Sequence, residues 1–159
     1  MQYKVGIGYD IHRLVNERKL MLGGIEIPYV KGLQGHSDGD SVLHAICDAI
    51  LGAMAKGDIG EHFPVTDHKY DNIPSLELLK KVDELAKQNK YQIENIDTAI
   101  IAEEPILGPF KKQMIKKISD ALKIDEEKVN IKATTNEKLD AIGSGEAIAA
   151  YAVVLLSKE

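Results

Sequence analysis

The strongest constraint on the fold is a strict alternation of residue character near the start of the chain. Every second residue from position 3 to position 11 is aromatic or β-branched, while the positions between carry lysine, glycine or acid and His12 follows in the same register. The apolar set is Tyr3, Val5, Ile7, Tyr9 and Ile11, and the other set includes Gly6, Gly8, Asp10 and His12. Successive side chains of a strand point to opposite faces. The pattern therefore predicts a strand with one face in the core and one face that carries chemistry.

The rest of the chain predicts strands and helices in mixed order. Two short extended runs around Gly23-Gly24 predict a hairpin, and a capping box begun by Ser37 with Asp40 predicts a helix that reaches about Met54. Further segments are a helix over 75–88 capped by Ser75, a strand over 93–102, a helix over 110–122, a strand over 129–135, and an apolar segment over 145–156 that fits either a strand or a helix. With no break in composition, residues 1–159 are predicted to form one α/β domain.

Composition narrows the class of protein. The formal net charge is −5, and no block of like charge indicates a nucleic-acid or membrane surface. Lys111, Lys112, Lys116 and Lys117 fit a solvated helix face, and the single Cys47 excludes an internal disulfide and fits a reducing compartment. With no signal peptide and no apolar run long enough to span a membrane, the expected location is the cytoplasm.

Asp10 and His12 project from the same face of the predicted strand, and His44 lies in a predicted helix that is apolar on most sides. If the helix packs over the strand, one oxygen and two nitrogen donors converge, a set that suits zinc and leaves a position for a substrate. Asp40 or Asp48, on the same helical stripe, could orient His44 through its other ring nitrogen. The spacing also fits a structural hydrogen-bond network without a metal.

Other motifs are incomplete. Gly6 and Gly8 begin a dinucleotide-type loop, but its third required position is Ile11, and the chain contains neither a Walker motif nor HExxH. The residues 57–72 form a loop rich in glycine, proline and acid, a length typical of functional loops, in which His62 and His68 fit solvated imidazoles. Thr134 and Thr135 fit an ordinary strand, although Glu137 just beyond suggests a phosphate and magnesium site.

Taken together, seven stretches resemble 2-C-methyl-D-erythritol 2,4-cyclodiphosphate synthases of the non-mevalonate isoprenoid pathway. They are GIGYDIHRL, LGGIEIP, GLQGHSDGDSVLHAICDAILGA, GDIGEHFPVTD, NIDTAIIAEEP, and VNIKATTNEKL with GSGEAIA. They occur in order along nearly the whole chain. The resemblance implies α/β (α+β-like) subunits, each a single domain with a mixed β-sheet covered by helices on one face, whose sheets pack inward in a homotrimer with active sites between neighbours.

The resemblance also implies site residues. Zinc would be held by Asp10, His12 and His44, and magnesium or manganese by Glu137 with substrate phosphates. His36 and Thr135 would stabilise the transition state. The implied substrate-binding set is Asp10, His12, His36, Ser37, Asp58, Ile59, Gly60, Phe63, Pro64, Val65, Thr66 and Asp67 for the phosphate and erythritol parts, and Ala102, Glu103, Glu104, Pro105, Ile106, Leu107, Gly108, Thr134, Thr135, Asn136 and Glu137 for the cytidine diphosphate.

The implied reaction is an intramolecular cyclisation. The 2-phosphate of 4-diphosphocytidyl-2-C-methyl-D-erythritol 2-phosphate attacks the β-phosphorus and CMP leaves, so the enzyme is a phosphorus–oxygen lyase with a small-molecule substrate. Two alternatives remain: a zinc-stabilised nucleotide-binding trimer without turnover, and a zinc hydrolase of the same diphosphate.

The chain departs from the family pattern at several positions. Ile106 replaces a common lysine of the cytidine loop, which predicts weaker substrate binding, and Val65 replaces an aspartate. Asp140, Ala141 and Ser144 replace glycine, phenylalanine and arginine in the segment that lines the threefold axis. Loss of that arginine predicts that the axis does not bind an isoprenoid diphosphate.

Overall fold

A five-stranded mixed sheet organises the fold, and the computed structural model describes all residues, 1–159. The strands are β1 (Gln2–Asn16), β2 (Leu20–Leu22), β3 (Ile25–Ile27), β4 (Lys31–Leu33), β5 (Gln92–Ile101), β6 (Val129–Thr134) and β7 (Ala147–Lys158). The α-helices are α1 (Ser41–Ala53), α2 (Ile59–His62), α3 (Ser75–Gln88), α4 (Lys111–Leu122) and α5 (Asp140–Gly143). Single 3₁₀ turns occur at His68–Tyr70, Gly108–Phe110 and Glu126–Lys128.

The strand order in the main sheet is β4-β1-β7-β5-β6, and β2 pairs with β3 in a separate hairpin. β7 is antiparallel to both of its neighbours, whereas β5 and β6 are parallel. The predicted mixed sheet, hairpin and helix order are confirmed. The last apolar segment is a strand rather than a helix, and the short strand β4 beside β1 was not predicted.

Helices cover only one face of the sheet, with α1 packed on β1 and β7, α4 packed on β6, and α3 packed against both α1 and α4. The predicted placement of the two faces of β1 is wrong for the single chain. The glycine face packs against α1, while the apolar face lies exposed, with Val5 68% and Ile7 69% accessible. Tyr9 and Tyr151 contact each other on this bare face, with ring centroids 4.8 Å apart.

Two predicted helix caps are also wrong. Asp40, not Ser37, is the N-cap of α1, and its buried carboxylate accepts from the backbone N–H of Leu43. The same carboxylate accepts from Gly23 and Gly24, so it joins the hairpin turn to the start of α1. Ser75 is the first residue of α3 and does not cap it.

Other expectations concern surface and core positions. Cys47 is a buried free thiol, as predicted. No helix is long and apolar enough to cross a membrane. Lys112, Lys116 and Lys117 are exposed on α4, in agreement with a solvated face, while Lys111 is half-buried.

Candidate functional site: a metal-binding cluster and two cavities

The close approach of α1 to β1 brings the predicted ligands together. Asp10 and His12 lie on the same face of β1 as Gly6 and Gly8, and this face packs against α1. A Cβ atom at Gly8 would lie only 1.8 Å from the carbonyl oxygen of Ala45, so a larger residue would push the helix away. Glycine at these positions therefore lets His44 of α1 reach Asp10 and His12.

Asp10, His12 and His44 form one candidate metal-binding cluster, as the sequence predicted, with their ligand atoms within 4.8 Å of one another. Asp10 Oδ2 lies 2.8 Å from His12 Nε2 and 3.2 Å from His44 Nδ1. His12 Nε2 and His44 Nδ1 are themselves 3.2 Å apart. One carboxylate oxygen and two imidazole nitrogens suit a zinc-type ion with a position left for another ligand.

The hydrogen bonding of His12 fits a cation in this cluster. Its Nδ1 lies 2.5 Å from the carbonyl oxygen of Gln34, which can only accept, so Nδ1 carries a proton. The lone pair of a neutral His12 then lies on Nε2 and faces Asp10. Burial opposes ionisation of both groups, yet their mutual hydrogen bond raises the pKa of His12 and lowers the pKa of Asp10. The lowered pKa keeps Asp10 ionised, the form in which a carboxylate binds a cation.

The expected orientation of His44 by Asp40 or Asp48 is wrong. The Asp40 carboxylate is taken up by backbone N–H groups of the hairpin turn and of α1. Asp48 Oδ1 accepts from the backbone N–H of Ile59 at 2.7 Å and so fixes the start of α2. Both carboxylates lie on the same helix stripe as His44, but each accepts hydrogen bonds from backbone N–H groups instead. Helical spacing in the sequence does not reveal these donors.

Two serine hydroxyls, rather than Asp40 or Asp48, contact the second ring nitrogen of His44. His44 Nε2 lies 2.8 Å from Ser75 Oγ and 3.1 Å from Ser37 Oγ. Ser75 in turn donates through its hydroxyl and its backbone N–H to the carboxylate of Asp38. Asp38 and Ser75 are the functional residues that the sequence interpretation missed. The sequence contains one indication of them: polar residues precede or begin the helices α1 and α3. From the sequence alone, these residues were interpreted as helix caps.

A cavity of about 200 Å³ opens beside the cluster. The three ligands line it with His36, Ser37 and six residues of the predicted loop set: Ile59, Gly60, Phe63, Pro64, Val65 and Asp67. Asp58 and Thr66 do not line it, since Asp58 caps α2 and accepts from the backbone N–H of Glu61. Tyr70, Asp71, Ile73 and Leu78 also line the cavity and were not predicted.

A second cavity, of about 240 Å³, lies at the ends of β5 and β6. Of the predicted cytidine set, it is lined by Ala102, Glu103, Pro105, Ile106, Leu107, Gly108, Thr134 and Thr135. Lys111 also lines this cavity, so the prediction that it belongs only to a solvated helix face is incomplete. Glu104, Asn136 and Glu137 are not part of the lining.

Glu103 shapes the edge of this second cavity. Its Oε1 accepts from the backbone N–H of Asn136 at 2.8 Å and of Lys138 at 3.0 Å. Glu137 lies between them on this turn, exposed and with a positive φ of 52°. Glu137 belongs to no cluster of three ligands.

The family follows from comparison of the whole chain. A family model described as the YgbB family matches residues 3–157. The chain belongs to the YgbB family. Among curated members, the 2-C-methyl-D-erythritol 2,4-cyclodiphosphate synthase of Lachnospira eligens is 54% identical over 154 residues, which cover 97% of this chain and 84% of that protein. The resemblance inferred from the motifs is therefore confirmed.

Solved structures in the YgbB family share the fold. The bifunctional IspDF of Campylobacter jejuni superposes with a TM-score of 0.95 at 41% identity, and the match covers 99% of this chain but only 43% of that larger one. The IspF of Plasmodium falciparum in complex with CDP superposes with a TM-score of 0.86 at 38% identity, and the match covers 99% of this chain and 97% of that one.

Proposed function

We propose that this chain converts 4-diphosphocytidyl-2-C-methyl-D-erythritol 2-phosphate to 2-C-methyl-D-erythritol 2,4-cyclodiphosphate and CMP. The observation that carries the proposal is the Asp10, His12 and His44 cluster, which lies in one cavity with His36 and the 59–67 loop. The relatives that share the full length of the chain are synthases of this product, and a solved relative binds CDP.

In the reaction, a 2-phosphate oxygen forms a bond to the β-phosphorus while the bond from the β-phosphorus to the CMP oxygen breaks. The electron pair of that bond leaves with CMP. The substrate brings its own nucleophile, so no protein side chain needs to form a covalent bond. The difficulty is electrostatic, because two unit charges about 4 Å apart repel by roughly 4 kcal/mol at an effective dielectric of 20.

Metal ions would neutralise the phosphate charge, and side chains of the protein would position the substrate. A zinc ion on Asp10, His12 and His44, and a magnesium or manganese ion on Glu137, would neutralise phosphate charge and act as Lewis acids. His36, which lines the metal-side cavity, would contact the 2-phosphate, and Thr135, which lines the second cavity, would offer a hydroxyl to the diphosphate. The apolar wall formed by Ile59 and Phe63 limits the access of water, which would hydrolyse the same bond.

We propose further that the active site is completed between subunits of a homotrimer. The two cavities share no lining residue, and we expect each of them to hold one part of the substrate. On the bare sheet face the large apolar side chains Tyr3, Val5, Ile7, Tyr9 and Ile11 are all exposed, and exposed apolar patches commonly mark protein–protein interfaces. Inward packing of three such faces would bury them and bring the metal cavity of one chain to the nucleotide cavity of the next.

Phosphorus NMR with the purified protein, the cytidyl substrate, zinc and magnesium tests the reaction. Two coupled resonances of a cyclic diphosphate with stoichiometric CMP are expected. Release of CMP with a linear product would instead identify a hydrolase, and no release of CMP would identify a nucleotide-binding protein.

Subunit mixing tests the shared site. His44→Ala removes a ligand of the metal cavity, and Glu137→Ala alters the nucleotide side, so each variant alone should be inactive. If sites form between chains, randomly reassembled trimers from equal amounts of both variants have both halves intact in about one quarter of their sites. Recovery of about that fraction of wild-type activity is expected, whereas sites within one chain would recover none.

A further inference from the structure

The two histidines of the metal cluster are held differently. His12 Nδ1 faces the backbone carbonyl of Gln34, which only accepts, so the tautomer of His12 is fixed. His44 Nε2 faces the hydroxyl of Ser75 at 2.8 Å. A hydroxyl can donate or accept, so this contact alone is compatible with either tautomer of His44. Only one tautomer leaves Nδ1 free to bind a metal.

Asp38 removes this ambiguity. The hydroxyl of Ser75 donates to Asp38 Oδ1, and the backbone N–H of Ser75 donates to Asp38 Oδ2 at 3.1 Å. Because a hydroxyl has a single hydrogen, Ser75 Oγ then has only lone pairs to offer His44. His44 Nε2 must therefore donate, and its bare Nδ1 faces Asp10 Oδ2 at 3.2 Å.

We infer that Asp38 and Ser75 are positioning residues that set the tautomer of His44 and thereby the affinity of the cluster for its metal. Ser75 is completely buried, so water does not replace its hydroxyl. Ser37 Oγ also lies 3.1 Å from His44 Nε2, but no carboxylate takes up its hydrogen, so it cannot impose a direction. The inference rests on the proposed function, because it assumes a metal on this cluster.

Zinc binding by Ser75→Ala is the direct test. The substitution deletes the hydroxyl and keeps the backbone N–H bond to Asp38. Ser41→Ala is a matched control, because Ser41 is the first residue of α1, is equally buried, and has a hydroxyl without a hydrogen-bond partner. Competition with a chromophoric chelator should show a zinc Kd raised roughly 10- to 100-fold in Ser75→Ala, as for other partners of metal-binding histidines. Ser41→Ala should match the wild type.

Nitrogen-15 NMR of histidine-labelled, metal-free wild-type protein, at a pH where the imidazoles are neutral, tests the tautomer without any substitution. A proton on His44 Nε2 is expected, and a proton on Nδ1 would overturn the inference even if Ser75→Ala failed to fold. Asp38→Asn, which retains an acceptor of lower charge, should weaken zinc binding less than Ser75→Ala.

The outcomes separate the two proposals. Unchanged zinc affinity in Ser75→Ala, in an otherwise active synthase, would refute the role of Ser75 and leave the function standing. A wild-type protein that binds no zinc and releases no CMP would refute the function itself.

Discussion

Replacing Gly8 by alanine should separate α1 from β1 and damage the metal cluster without touching a ligand. The new Cβ would lie 1.8 Å from the carbonyl oxygen of Ala45 and 2.7 Å from its carbonyl carbon. Both are backbone atoms of a buried helix, so no flexible side chain can make room. Bringing the oxygen contact to 3.0 Å requires a shift of about 1.2 Å.

The expected effects follow from that shift. Overpacking of this size costs about 2 kcal/mol, or roughly 4–8 °C in Tm for a chain of this length. His44 moves with α1, so its 3.2 Å separations from Asp10 Oδ2 and His12 Nε2 should open. A displacement of about 1 Å at an active site can reduce the rate by roughly 100-fold.

Gly52→Ala is the matched control, because Gly52 lies in the same helix and its added Cβ would meet only Ile7 O, at 3.9 Å. Removing a helical glycine there should stabilise the protein by about 0.5–1 kcal/mol. Thermal unfolding, zinc affinity and CMP release would be measured for both variants. A Gly8→Ala protein with wild-type Tm and zinc affinity would refute the close-approach argument.

Four further outcomes are expected. His44→Ala should fold but lose tightly bound zinc and cyclisation, and full activity would contradict the metal site. Ile7→Glu, on the bare sheet face, should give monomers by light scattering, and a stable trimer would show that this face is not the interface. Ile106→Lys should lower KM more than it changes kcat, because it adds a cation beside the second cavity; an unchanged KM would contradict this. Calorimetry with geranyl diphosphate should show no binding at the axis, where Ser144 offers a hydroxyl without charge, and micromolar binding at one ligand per trimer would contradict it.

The sequence predicted most elements because their periodicity is local, but it could not assign the faces of β1. An apolar strand face can pack in the core of its own chain, or it can pack against another subunit. The alternation around Ile7 therefore carried no information on which side α1 would cover. The positions of Gly6 and Gly8 did carry that information, because glycines in a strand often mark the close approach of another backbone, here that of α1.

The metal ligands were predictable and their supporting residues were not, for a related reason. Asp10 and His12 are two residues apart in a strand, and His44 stands out as polar in an apolar helix. Ser75 acts on His44 across 31 positions of sequence, and near a helix start its hydroxyl looks like a cap. The short strand β4, with a glycine among its three residues, has no periodicity to detect.

The cluster also explains how an acidic chain can bind a polyanion. The net charge of −5 would repel a substrate with three phosphates, and neither an arginine nor a lysine lines the metal-side cavity. A divalent cation on the single carboxylate of Asp10, with two neutral imidazoles, would leave a net charge of about +1 at one partly buried point. Unlike the charge of a lysine or arginine, this charge would not be carried by a flexible side chain. It could therefore hold a phosphate in a fixed position. Because the nucleophile belongs to the substrate, fixing the two phosphates relative to each other is most of what cyclisation requires.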